Sequence, residues 1–509
     1  MINHNKNLYL SLLFLLLFSA LAIGYSLYLT NYNLTYAIHG PYIHFSMIKH
    51  LATQGILSVD GFSYSSVSSS PLWLILLTPF YKFLSLKIFI WIPLILNILF
   101  QMVTLVVIYK IVDRYTNNKL NLLFLILIVL ITPFLALSFG GLEHSLQIML
   151  ITLFLYNYIG YINNTNENKY KNNMLIIAPF IVACRYEDLA FISSVSLFSL
   201  IYYKDIRFSI KLFLSSLILI AIFGIWSELS FDLGFVPSSI TAKSSKHLNL
   251  LDKFLGNLFY AHIIANIFLN ILIFLKSFKR DKVLTTLTSV YILTFIVHLA
   301  FAKVGWLYRY EAYLIIFGLI NIVLCIYRCQ VEKRVIWFLS ILFILSNYKQ
   351  ILFSPIKSVL STKAVYLEQI QEGLFAKELK DEYIATDNIG TVPLYSNNKI
   401  LDIHGLSNPK IIELKNRGIF NDKSKKELIE NSNADLIIAY KNRFKDPKID
   451  NYTKIATWKI AKKMLNGDDE IVIYAKKSKI SYVMKKLKSF IKNKLPKDTK
   501  VIWNIQNKI

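Results

Sequence analysis

Up to position 354 the chain alternates apolar runs with short polar breaks. The runs are about 20 residues long, and at 1.5 Å per helical residue that is what a hydrocarbon layer roughly 30 Å thick demands. They predict about eleven crossings, over 8–29, 88–111, 120–139, 142–162, 173–184, 189–203, 211–231, 255–276, 283–303, 308–328 and 334–353. The fifth and sixth runs are short. About 12 helical residues reach only about 18 Å, so Arg185 and Glu187, which lie between them, are expected at membrane depth, lining a cavity or forming a structural clamp. Segment 71–86 is also apolar, and it is expected to be a re-entrant or interfacial helix inside a first outer loop of 30–87.

Beyond position 355 the pattern turns polar and mixed. Short apolar runs at 383–386, 399–403, 435–440 and 470–474 read as buried strands, and helical periodicity between them, as over 362–380, argues for a small α/β domain. The chain thus divides into a membrane domain (1–354), an α/β domain (355–479) and a basic amphipathic tail (480–509). In the tail Val483, Leu487, Phe490 and Ile491 share one helical face ringed by Lys485, Lys486, Lys488 and Lys492, a pattern suited to lying on anionic lipid, or to a solvated tail.

Composition supports the membrane reading. Of 509 residues 55% are hydrophobic, and the mean hydropathy is +0.48. The net charge of +25 raises the question of nucleic acid. Its lysines, however, sit in short loops and the C-terminal tail rather than on an aromatic-studded groove, so membrane lipid is the expected partner and nucleic acid is not. Run 8–29 has too long an apolar core for a cleaved signal and is kept as a span. Cys184, Cys325 and Cys329 fall in or beside apolar runs, which argues against a disulfide framework or structural zinc.

The lysines also orient the chain. With the N-terminus cytoplasmic, the loops carrying Lys110, Arg114 and Lys119, Lys169 and Lys171, Lys204, Arg207 and Lys211, Lys276 to Lys282, and Arg328 to Arg334 all fall on the inner side, provided 71–86 does not cross. The α/β domain then faces outward, and an Asn- and Lys-rich chain of this kind fits a bacterial inner membrane. On the same outer face fall the polar motifs: the loop with His39, His44 and His50, then Glu143-His144, Arg185-Tyr186-Glu187, Pro237 to Ser244 with Lys243, and Arg309-Tyr310-Glu311. Long loops in membrane proteins usually have a task.

Taken in order, Pro41-Tyr42-Ile43-His44, Ser69-Ser70-Pro71-Leu72-Trp73, Gly141-Leu142-Glu143-His144, Arg185-Tyr186-Glu187, Pro237-Ser238-Ser239 with Ala242-Lys243-Ser244, and Arg309-Tyr310-Glu311 form a set. The set resembles a bacterial branch of the GT-C glycosyltransferases, multi-pass enzymes that take a sugar from a polyprenyl-phosphate carrier on the extracytoplasmic side. Asp387-Asn388-Ile389-Gly390 and Asp402-Ile403-His404-Gly405-Leu406 resemble elements that follow the membrane region in that branch. The implied fold is an α-helical polytopic membrane protein, GT-C-like, with a C-terminal extracytoplasmic α/β domain.

The implied activity is inverting transfer of a sugar from a polyprenyl-phosphate donor to a cell-envelope glycan or lipid acceptor. One departure bears on it: where the branch has an acidic pair that looks catalytic, this chain has His39-Gly40. A base is still needed for the acceptor hydroxyl, and His39, His44, Glu143 or an acid such as Asp60 are the candidates. The pair's loss also removes the obvious oxygen ligands for a divalent metal, so no metal site or cofactor is assigned, with a divalent metal left open as the alternative.

Arg185, Lys243 and Arg309 are candidates for the donor phosphate, with Tyr42, Glu187, Tyr310 and Glu311 beside them in the substrate site. Glu143 is equally placed to cap the helix it begins. Tyr42, Trp73, Trp306 and Tyr308 are candidates for stacking on sugar rings, or for interfacial anchoring. The alternatives are a degenerate relative that binds lipid-linked sugar or envelope glycan without turnover, and a lipid or glycan transporter. The transporter is disfavoured because the sequence shows no internal repeat.

Overall fold

The computed structural model describes residues 5–116, 121–163, 167–238, 250–258, 260–329, 341–444, 449–460 and 470–505. Among the described residues helices occupy the runs expected to cross. Five are long and apolar enough to span by themselves: Lys6–Leu29, Leu86–Arg114, His144–Ile162, Ile206–Phe231 and Lys282–Phe301. Two bent pairs pass the same test together, each a broken span or a re-entrant loop: Leu122–Ile131 with Phe134–Gly140 at 43° and Leu251–Leu258 with His262–Ser277 at 93°. Pro133 at the first break removes a backbone donor, which accounts for the bend.

Among the described residues Ala312–Arg328 is a further, shorter apolar helix. The piece expected over 173–184 is the 18-residue helix Glu167–Cys184, longer than the sequence suggested. It stops at Arg185, whose backbone is extended (φ −149°, ψ 121°), and after the single turn Tyr186–Asp188 the chain re-enters as Leu189–Tyr203.

The first outer loop is more ordered than a polar connector. Pro41, in the first turn, suits the start of the helix Gly40–Gln54, and Gly55 ends it in the left-handed region at φ +75°. His44 and His50 thus lie on a helix rather than on a loop. A second helix, Pro71–Phe83, begins at Ser70, whose hydroxyl accepts the Trp73 amide at 3.3 Å. At 13 residues it is about 20 Å long, too short to cross.

The C-terminal domain is built on a six-stranded sheet ordered β2-β1-β3-β5-β4-β6. Strands β1 (Tyr383–Thr386), β2 (Lys399–Asp402) and β3 (Leu436–Tyr440) are parallel, while β5 (Glu470–Lys476), β4 (Tyr452–Ile460) and β6 (Thr499–Trp503) continue the sheet antiparallel. The described part of the tail, 480–505, is no separate unit. Helix Ile480–Asn493 buries Val483, Met484, Leu487 and Phe490, with Phe490 packed on Phe375 and Trp458 at ring distances of 5.5 and 6.1 Å, and β6 completes the sheet. Its apolar face is covered by protein, which removes the expected membrane-lying role. The boundary at 354 also moves, because helix Tyr348–Val365 runs through it.

Domain and membrane region share one apolar core, from Leu15 and Tyr158 to Leu436 and Trp458. Polar clasps tie them further. Lys49 donates to the carbonyls of Pro393 and Ser396, each at 2.8 Å, and Asp60 accepts the Ile400 amide at 3.1 Å.

Candidate functional site

Parallel strands present the carboxyl ends of their backbones to whatever binds beyond them, which makes that edge the habitual ligand side of an α/β sheet. In this domain Asp387 directly follows β1, His404 follows β2, Tyr440 closes β3 and Arg443 lies just after it. All four line a cavity of about 580 Å³, whose opposite wall is the membrane region's His39, Gly40, His44, Glu143, Arg185, Lys303, Trp306, Arg309 and Tyr310. The polar motifs from distant parts of the sequence therefore meet in one chamber.

His39 stands at the start of helix Gly40–Gln54, its Nδ1 3.0 Å from Oε1 of Gln369. Burial, with the nearby Arg443 charge adding to it, pulls the imidazole down to about 4, against the opposing pull of the Gln369 bond. It is a neutral ring at neutral pH. His44 also lines the cavity, with Ser68 Oγ 3.3 Å from its Nδ1. His404 is pulled down to about 3 by burial first and then by the Arg443, Lys415 and Lys425 charges. Its loop is shaped by Asp402, whose carboxylate accepts the amides of His404, Gly405, Leu406 and Ser407 at 2.7–2.8 Å.

The cations differ sharply in how far they are already committed. Arg185 is held between two carboxylates: Nη1 donates to Glu143 at 2.6 Å, and Nε to Glu187 at 2.9 Å. Arg309 gives Nη2 to the Tyr310 hydroxyl at 2.7 Å and lies 4.7 Å over that ring, but its Nε and Nη1 have no partner among the described residues. A buried, unpaired guanidinium nitrogen costs stability unless a ligand completes it. Arg309, with Lys303 beside it on the wall, is thus the group best prepared for an anion.

Arg309 is presented by an unusual backbone. Gly305, Trp306, Leu307 and Tyr308 all have positive φ, at 83°, 55°, 67° and 57°. Such a conformation costs a side-chain-bearing L-residue roughly 1–2 kcal/mol and persists only where its surroundings enforce it. Glu311 does so: its carboxylate accepts the Gly305 amide at 3.1 Å, and Nε2 of His262 lies 3.1 Å away.

The sequence candidates therefore separate. His39, His44, Glu143, Arg185, Arg309 and Tyr310 line the cavity. Glu187 reaches it only through Arg185, and Glu311 stands behind the turn it secures. Tyr42 is fully buried, its hydroxyl accepting the Tyr36 amide at 2.9 Å, so it packs rather than binds. Lys243 lies outside the described residues.

Glu143 sits at its helix N-cap position without capping, because its carboxylate turns to Arg185 instead. Asp60 is spent on the Phe62, Ser63 and Ile400 amides. Of the aromatic candidates Trp306 alone is on the cavity wall, while Trp73 is buried and Tyr308 packs edge-on to His262. Sequence reasoning missed Lys303, Gln369, Asp387, His404, Tyr440 and Arg443 as site residues. For Asp387 and Tyr440 the signal was present, since each ends a run that reads as a strand. Among the described residues no three His, Cys, Asp or Glu side chains converge as a metal site.

A family model described as "Domain of unknown function (DUF8728)" matches residues 362–474. No curated protein matches the sequence. Among solved structures, that of ArnT from Cupriavidus metallidurans bound to undecaprenyl phosphate aligns with a TM-score of 0.56 at 9% identity, over 91% of this chain and 98% of that one. An oligosaccharyltransferase from Archaeoglobus fulgidus in the apo form gives 0.44 at 11% identity, covering 89% and 74%. AglB of the same organism, in complex with an inhibitory peptide and a dolichol-phosphate, gives 0.46 at 12% identity, covering 96% and 75%. The chain has the GT-C membrane fold.

Proposed function

We propose that this protein is an inverting membrane glycosyltransferase that moves a sugar from a polyprenyl-phosphate donor to an envelope glycan or lipid acceptor on the extracytoplasmic face. The observation that carries the reading is the chamber between membrane helices and α/β domain, with a partly unpartnered guanidinium and a neutral histidine both on its membrane-side wall. The GT-C fold supports it, as does a neighbour of that fold bound to undecaprenyl phosphate. The lysine distribution supports a cytoplasmic N-terminus and an outward-facing domain.

The chemistry follows from the groups present. The acceptor hydroxyl oxygen attacks the anomeric carbon from the face opposite the carrier. The bond from that carbon to the phosphate oxygen breaks, and its electron pair departs with the phosphate. Arg309 and Lys303 stabilise the charge that develops there. The hydroxyl proton passes to the free Nε2 of His39, which does the work of the missing acidic pair. Arg185, already neutralised by Glu143 and Glu187, braces the wall and offers the phosphate less. No step is routed through a metal.

The test uses the full chain in lipid nanodiscs with a radiolabelled polyprenyl-phosphate sugar. The parent is expected to bind the donor and release or transfer its sugar, Arg309→Ala to bind weakly, and His39→Ala to bind without turnover. Donor binding with no turnover by the parent would leave a lipid-linked-sugar binder. Absence of binding would overturn the reading altogether.

A further inference from the structure

We propose that Gln369 is a positioning residue that fixes which nitrogen of His39 is free to accept a proton, through a one-way hydrogen-bond chain starting at the carboxylate of Glu368. The proposal rests on the reading of His39 as the base and supplies what that reading leaves open.

The chain can be followed proton by proton. The Tyr440 hydroxyl has a single hydrogen, and it goes to Oε2 of Glu368 at 3.1 Å. The phenolic oxygen can then only accept, and it accepts from Nε2 of Gln369 at 3.1 Å. An amide has one nitrogen and one oxygen, so turning the nitrogen to Tyr440 turns Oε1 to His39, 3.0 Å from Nδ1. An amide oxygen only accepts, so Nδ1 must carry the hydrogen. In a neutral imidazole the other nitrogen is then bare, and Nε2 has no partner among the described residues. Flipping the amide would send the Tyr440 hydrogen to Gln369 and leave Glu368 Oε2 without that donor, which opposes the flip.

The local backbone is built for this. Tyr366–Ile370 is a π-helical turn, a widening frequently found at functional sites, between helices Tyr348–Val365 and Gln371–Glu378. The turn sets the adjacent side chains of Glu368 and Gln369 on the same tyrosine. The Thr391 hydroxyl donates to the Gln369 carbonyl at 2.5 Å, anchoring the turn to the domain. Nothing in the first outer loop supplies this restraint. It comes from residues some 330 positions away in sequence, which gives the C-terminal domain a part in the proton transfer.

The experiment uses the full chain in nanodiscs, with Gln369→Leu, Gln369→Glu and Glu368→Gln beside the parent and His39→Gln. The tautomer is read directly by ¹⁵N NMR of histidine-labelled protein, with the His39 signal identified by its loss in His39→Gln. The parent is expected to hold hydrogen at Nδ1. Gln369→Leu is expected to lose that preference and about 10-fold or more in turnover, with donor KM little changed. Glu368→Gln lets the chain reverse and should mix the tautomers.

Gln369→Glu sets a carboxylate against Nδ1–H, favouring the imidazolium, so the acid limb of its turnover profile should move up by about one pH unit or more from the parent's. The other groups facing His39 are Arg309 beside Gly40, His44, and Arg443, His404 and Asp387 from the domain. These are common to both proteins, so the difference isolates residue 369. A parent with hydrogen at Nε2, or an acid limb unmoved in Gln369→Glu, overturns the proposal. Full turnover in His39→Gln would sink the base assignment instead, and the tautomer measurement would still decide the role of Gln369.

Discussion

Glu143 and Arg185 meet at 2.6 Å in a pocket that leaves the carboxylate 1% exposed and the guanidinium 8%, with Glu187 closing the arginine's other side. Such a triad behaves as a strut, because removing the cation strands the Glu143 carboxylate away from water. Arg185→Ala is therefore expected to destabilise the protein by about 3–5 kcal/mol, visible as a lowered denaturation temperature. Arg309→Ala frees a guanidinium that is only partly used. It should spare stability and weaken donor binding by about 10- to 100-fold, the worth of a charge-assisted hydrogen bond or two. Equal stability loss in both variants would dissolve the distinction between strut and ligand.

The left-handed turn Gly305 to Tyr308 gives Glu311 a task that its place beside Arg309 in sequence conceals. Glu311→Ala removes the acceptor for the Gly305 amide and the partner of His262, a loss of about 1–3 kcal/mol. Arg309 should then be misplaced, so donor affinity falls together with stability. Gly305→Ala, which must hold φ +83°, should give the same pair of effects in milder form. Unchanged donor affinity in both would separate the turn from the site.

Gly390 packs its backbone against the first outer loop. A Cβ there would lie 2.9 Å from the Tyr42 Cβ and 3.1 Å from the Ile43 backbone nitrogen. Gly390→Ala should push the two walls of the chamber apart, at a cost of about 1–3 kcal/mol, and reduce turnover more than donor binding, since Arg309 stays on the membrane wall. Retained turnover would mean that the wall separation is not critical.

The ordered motifs made the membrane fold and half of the chamber legible in the sequence. The apolar runs announce themselves by length, Glu143, Arg185 and Arg309 each sit beside the end of one, and His39 and His44 stand in the long polar loop that follows the first. The domain's half was hidden for a physical reason. Gln369, Tyr440 and Arg443 come together only when the sheet has formed and packed under the loop helix, and nothing in their local sequence distinguishes them from residues that simply pack. Tyr42 erred in the opposite direction, since an aromatic in a polar motif is as good a core residue as a sugar platform. The amphipathic stretch 480–493 shows that one helical face can be read correctly while its partner cannot, because a sheet satisfies it as well as a lipid surface would.

Asp387 offers a pH test with a definite sign. Its carboxyl is pushed up to about 6, chiefly by burial and against the pull of Arg443, whose Nη1 is 3.3 Å away. In the unfolded chain the group titrates near its ordinary value, about 3.9. Between those values the folded state binds the proton more tightly, so the contribution to stability is whole below the unfolded value and is lost as pH rises through about 6. Asp387→Asn keeps the shape of the protonated acid and removes the titration. The variant should match the parent in denaturation temperature near pH 4 and exceed it near pH 8, by an amount on the order of a few kcal/mol in stability. If the variant is instead less stable at the higher pH, the Arg443 pair outweighs the burial of the charge. The carboxylate would then stand ionised in the chamber throughout the working range, a second acceptor for the proton that the proposed chemistry assigns to His39.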